Sequence, residues 1–127
     1  MPVPPEIPRL KDIIDAIAHI QSVIVGISLD AFEADWQKRW LVERGVEIIS
    51  EASRRLSPEL KSRHPEIPWP KVAGIGNILR HEYERIAPDI LWKLAQEDLG
   101  VLDTACRREL SNLVNDGAQA EDSSTSD

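Results

Sequence analysis

One cysteine, Cys106, is all the thiol this 127-residue chain carries, which excludes an internal disulfide and leaves no set of thiols for a structural zinc site. Its expected role is a small, half-buried helix residue rather than a reactive group. No run approaches the roughly 18 consecutive apolar residues that a membrane-spanning helix needs. Met1-Pro2-Val3-Pro4-Pro5-Glu6 has no basic stretch leading into an apolar one, so neither a membrane span nor a secretion signal is expected, and the chain is placed in the cytoplasm. Strand-like alternation is missing throughout, as is a Gly-x-Ser-x-Gly elbow for acyl transfer. Gly74-Ile75-Gly76 lies inside a helical pattern without the preceding strand that a phosphate-cradling loop requires. The three histidines, His19, His64 and His81, fall on different expected elements, with no His or Cys pair at ligand spacing. No metal or cofactor is therefore expected, with a carboxylate-only magnesium site left open.

The formal net charge is −7, and it is unevenly spread. Residues 1–35 carry two basic against six acidic side chains, and residues 94–127 two against eight, whereas residues 36–93 carry eleven against eight. Positive charge thus gathers in the middle of the chain, a permissive sign for a polyanionic ligand there.

Apolar periodicity predicts an all-α, five-helix, up-and-down bundle. Leu10, Ile13, Ile14, Ile17, Ile20, Ile24 and Ile27 recur every three or four residues from Pro8 to Ile27. Ala16 and Val23 widen that face, so this first helix should pack on two sides, the second being either its own bundle or another subunit. A second helix, capped by Ser28 or Asp30, runs through Phe32 and Trp36 to a stripe at Leu41, Ile48, Ile49, Ala52 and Leu56. Pro58, Pro65, Pro68 and Pro70 make Ser57–Pro70 a stiff connection with at most one short helical turn. Three helices follow, from about Pro70 to Ile86, from Pro88 to Gln96, and from Asp98, a good cap, to about Leu113. Residues 1–8 read as an N-terminal extension, 9–114 as the helical domain, and 115–127 as a disordered acidic tail too polar to offset the entropy of ordering.

On the third long helix, Val72, Ile75, Leu79, Tyr83 and Ile86 share the core face, while Asn77 and His81 fall together on nearly the opposite side, with Gly74, Ile78 and Arg85 close by. Gly74 and Gly76 each cost a helix interior about 1 kcal/mol relative to alanine, which points to close approach of a backbone or ligand. A histidine that exchanges protons near neutral pH, an arginine (Arg80) with a planar fork of donors, and an orienting amide suit metal-free RNA cleavage. In that reaction a 2′-hydroxyl attacks the adjacent phosphorus, the imidazole moves the proton, and the guanidinium stabilises developing charge. One histidine supplies half of the usual acid–base pair, so a symmetric homodimer would complete the set.

The string from Ile67-Pro68-Trp69-Pro70 through Gly74-Ile75-Gly76-Asn77-Ile78-Leu79-Arg80-His81-Glu82-Tyr83 resembles the signature of the HepT-like toxins of the HEPN superfamily. Glu47–Leu56 is similar to that family's preceding helix, and Asp89-Ile90-Leu91-Trp92 with Asp98-Leu99 to its closing part. The resemblance covers residues 9–110 and implies a HEPN bundle, usually a homodimer, acting as the ribonuclease of a toxin–antitoxin pair. It further implies a partner, a minimal nucleotidyltransferase of the MntA type, that attaches AMP to the tyrosine of a His-x-Tyr motif, here Tyr83. The family's catalytic arginine stands five residues before the histidine, where this chain has Gly76. Arg80, one turn later, is expected to lean back over the surface that Gly76 leaves bare. Arg80 and His81 are accordingly the candidate catalytic pair, with Asn77 orienting. Glu51 is a supporting residue by resemblance and helix phase, although with Arg55 four residues on it also reads as an ordinary solvated ion pair. The alternative is a catalytically weak helical subunit that binds and modulates the nucleotidyltransferase.

Overall fold

The structure, a computed structural model, describes residues 4–82 and 88–125, with side chains for residues 4–79 and 90–116. In chain order its elements are α1 (Glu6–Ile24), α2 (Leu29–Ala34), α3 (Trp36–Arg54), α4 (Pro58–Ser62), α5 (Trp69–Glu82), α6 (Pro88–Lys93), a π-helical turn over Leu94–Asp98, and α7 (Leu99–Thr125). The molecule is all-α, with no strand among the described residues.

The α1 stripe is the spine of the core: Leu10, Ile13, Ile17 and Ile20 are fully buried. Its breadth is met within the chain, because α1 packs against α3 on one side and α7 on the other. Gly45 of α3 allows the first of these crossings, since a Cβ there would stand 2.7 Å from two atoms of Ile20. The helix ends at Ile24, and Gly26 turns the chain with φ 76°, a region that glycine enters without steric cost.

Where one second helix was expected, two form. Asp35 takes an extended backbone (φ −108°, ψ 96°), and its carboxylate accepts the Lys38 backbone N–H at 3.1 Å. An aspartate that finds this bond outside the helix competes with helical continuation, so α2 closes and α3 opens at one residue. The Lys38 N–H, then the Lys38 ammonium, hold the Asp35 carboxyl below its usual range. Ser28 caps α2 by accepting from the Ala31 N–H.

The proline-rich connection behaves as its composition predicts. Ser57 caps the five-residue α4, Glu6 of α1 accepts the Ser57 N–H at 2.8 Å, and the Trp69 indole donates to the carbonyls of Lys61 and His64. At the far end, α7 carries helical backbone to Thr125, beyond the Leu113 end and into the segment read as a disordered tail. Nothing in Asn115–Thr125 stops a helix as proline would, and Ala118-Gln119-Ala120-Glu121 is a run of good helix formers. The expected cap at Asp98 lies instead inside the π-helical turn. Cys106 is buried on α7, and burial pushes its thiol up to about 12, which makes it inert at neutral pH.

A polar cluster bolts α4 to α7. Glu109, 4% exposed, accepts from Arg63 through both oxygens (2.9 and 3.0 Å) and lies 2.8 Å from His64 Nε2. The Arg63 hydrogen bond, with a smaller contribution from His64, holds the Glu109 carboxyl below its ordinary range. A carboxyl depressed in the folded state contributes stability that is present above its unfolded pKa of about 4.3 and lost as pH falls through the folded value. Glu109→Gln is therefore expected to destabilise the protein at neutral pH by about 2–3 kcal/mol and to flatten the decline in stability below about pH 4.5. Urea denaturation of both proteins at neutral and acid pH checks this; parallel acid declines would refute it.

Candidate functional site

The site is built where α5 crosses α3. Val72 and Ile75 pack against the core and Leu79 is buried within it, while Asn77 and Ile78 are exposed. The 3.6-residue phase thus sorts α5 as expected, with Asn77 on the solvent side. Helix phase puts position 81 one turn beyond Asn77 on the same stripe. Arg80 and His81 stand in the helical backbone of α5, but their side chains lie outside the described residues, as does Tyr83 altogether.

Position 76 is not bare. Gly76 is buried, and a Cβ on it would meet Ser50 Oγ at 2.6 Å and Ser50 Cβ at 2.8 Å, with Glu47 Cα at 3.8 Å. The Gly76 N–H donates to Ser50 Oγ at 3.2 Å, and Ser50 in turn donates to the Ala73 carbonyl at 2.6 Å. Position 76 was expected to leave a bare surface; glycine here permits close packing of α5 on α3 instead, and the Arg80 side chain expected to lean over it lies outside the described residues. Gly74, by contrast, has nothing within 4 Å of a built Cβ.

A residue that the sequence reading did not single out stands beside this contact. Arg54 of α3 donates through Nε (3.1 Å) and Nη2 (2.8 Å) to the same Ala73 carbonyl, one turn before Asn77. The available signal was phase: Ser50 and Arg54 are four apart on α3, so any helix touching one meets the other. Glu51 is turned aside. Its carboxylate pairs with Arg55 at 3.2 Å on a half-exposed part of α3.

Since Ser50 meets Gly76 and Arg54 meets Ala73, α3 and α5 run antiparallel. Burial is the main cause raising the Glu43 carboxyl above its usual range, with the neighbouring Glu47 charge adding to it and Arg39 opposing. An apolar cavity of about 200 Å³, lined in part by Val46, Ile49, Val72, Ile75 and Leu102, lies on the other, core-facing side of α5. Among the described residues, no three His, Cys, Asp or Glu side chains are grouped to hold a metal ion, and no helix is long and apolar enough to cross a membrane.

These features define a class: an all-α bundle in which one helix presents Asn77 to solvent beside a basic residue of the neighbouring helix. The Ribonuclease HepT-like family model matches residues 13–109, and the chain belongs to that family. It is 37% identical over 90 residues to a protein of Thermococcus cleftensis named probable ribonuclease HepT, covering 71% of this chain and 82% of that one. A Methanocaldococcus jannaschii protein named as a candidate RNase is 33% identical, with 71% and 83% covered. Another such candidate, from Caldanaerobacter subterraneus subsp. tengcongensis, is 29% identical, with 76% and 86% covered. No solved structure gives a significant match.

Proposed function

We propose that this protein is an endoribonuclease, the toxin of a toxin–antitoxin pair, cleaving RNA without a metal by attack of a 2′-hydroxyl on the adjacent phosphorus. The observation that carries the reading is the exposed Asn77 stripe of α5, leading to position 81, in a chain that belongs to the Ribonuclease HepT-like family. His81 takes and returns the proton, and Arg80 stabilises charge on the phosphoryl oxygens. Asn77 orients these groups or the substrate by hydrogen bonding. Glu51, already paired with Arg55, supports α3 instead of touching RNA. Two chains act as a homodimer, so that each active centre draws on two copies of α5.

Control falls to a partner, a minimal nucleotidyltransferase of the MntA type, which transfers AMP to the Tyr83 hydroxyl. The added phosphate brings negative charge beside groups that must bind phosphate, and so opposes substrate by like-charge repulsion. Incubating the protein with this partner and ATP is expected to add one nucleotidyl group to wild type and none to Tyr83→Phe, read by intact mass; equal labelling of the variant would exclude Tyr83.

Packing at Gly76 favours a second reading, a catalytically weak subunit that binds and modulates the nucleotidyltransferase, since no side chain from position 76 can serve the reaction. Expression of this chain alone separates the two. Growth arrest relieved by co-expressing the nucleotidyltransferase supports the toxin, and normal growth despite abundant folded protein supports the subunit.

A further inference from the structure

We propose that Arg54 binds a phosphate of the RNA substrate, the one beside the scissile phosphate; this rests on the ribonuclease reading above. Three observations lead to it. Arg54 is exposed, yet its guanidinium is pinned by two N–H donors to the Ala73 carbonyl of α5. Among the described residues it has no carboxylate partner, whereas Arg44, Arg55, Arg63 and Arg107 each pair with one. It also stands at the start of the stripe that continues through Asn77 to position 81.

The chemistry follows from the donor count. A guanidinium has five N–H groups in a planar fork; the carbonyl takes two, and the rest are left for an anion. Holding the group in advance removes much of the rotamer entropy that a free surface arginine would lose on binding. The Ala73 carbonyl cannot neutralise the charge, so the cation keeps its full attraction for phosphate. At 1.5 Å per residue, positions 73 and 81 are about 12 Å apart along α5. That separation places Arg54 on a neighbouring phosphate and away from the one being cleaved, so its loss weakens binding and leaves the chemical step largely intact.

The test is binding of a single-stranded RNA oligonucleotide, made uncleavable by 2′-O-methyl groups, to the full-length protein over a series of salt concentrations. For Arg54→Gln we expect about tenfold weaker binding at low salt and a plot of log affinity against log salt shallower by about 0.7, the value for one lost contact with a single strand. Arg54→Lys keeps the slope, because the charge remains. On cleavable RNA, Arg54→Gln raises KM about tenfold with kcat within about threefold. A slope unchanged in Arg54→Gln overturns the proposal. So does weakened binding shared equally by Arg54→Lys and matched by a lower melting temperature, which makes the contact a structural tie only. If wild type neither binds nor cleaves RNA, the ribonuclease reading fails and takes this with it; if wild type cleaves and Arg54→Gln binds as wild type does, this assignment alone fails.

Discussion

His81→Ala is expected to lower RNA cleavage by the purified protein, in excess chelator, about 10²- to 10⁴-fold, the usual contribution of a positioned proton-transfer group. That loss corresponds to about 3–5 kcal/mol on the barrier. The expectation follows from position: residue 81 shares the solvent stripe of Asn77 on α5, opposite the face on which Val72, Ile75 and Leu79 meet the core. The variant should therefore fold as wild type does, with an unchanged far-ultraviolet circular dichroism spectrum and melting temperature. Chelator leaves wild-type cleavage intact, and products of 2′-hydroxyl attack end in a 2′,3′-cyclic phosphate. Cleavage that chelator abolishes, or that survives in the variant, would reject an imidazole-driven, metal-free reaction.

Placing an arginine at position 76, where the family resemblance leads one to expect it, is expected to damage the protein. Gly76→Arg places a Cβ within 2.6 Å of Ser50 Oγ, and the side chain must then escape between α3 and α5. Overpacking of this kind costs about 3 kcal/mol, lowering the melting temperature by roughly 10 °C for a domain of this size. Gly76→Ala isolates the Cβ contact. In an open helix alanine would stabilise by about 1 kcal/mol, but here the clash reverses the sign, for a net loss of about 1–2 kcal/mol. Adding Ser50→Gly to Gly76→Arg removes the atoms that the new side chain meets, so the pair is expected to recover at least half of the lost melting temperature. The coupling between the two positions is the diagnostic quantity. Additive effects, or a stable Gly76→Arg protein with raised activity, would mean that position 76 opens to the substrate.

Much of α5 was legible before any coordinates. Its core face at Val72, Ile75 and Leu79 and its polar face at Asn77 follow from helical phase alone, and the structure has them so. The same phase led to a mistake one residue away. Gly76 looked like a gap on the surface because a missing side chain reads identically whether solvent or a neighbouring helix fills its place. Ser50, which fills it, is 26 residues away in sequence. Arg54 went unnoticed for the same reason, its partner Ala73 being 19 residues distant and a backbone carbonyl, which no residue type announces. The break at Asp35 was a closer contest, since an aspartate within an amphipathic pattern can continue a helix or cap the next one.

By itself, then, the chain's order of residues determined the all-α class, the buried stripe of α1, the stiff link before α5, the family and the solvent-facing position of Asn77. All of these are local or repeat along one helix, with a period set by the backbone. The filling of position 76 by Ser50, the anchoring of Arg54 on α5, and the bolting of α4 to α7 through Glu109 were decided only by the tertiary structure. Each depends on how far one helix slides and rotates against another, and that is settled by the packing of the whole core at once.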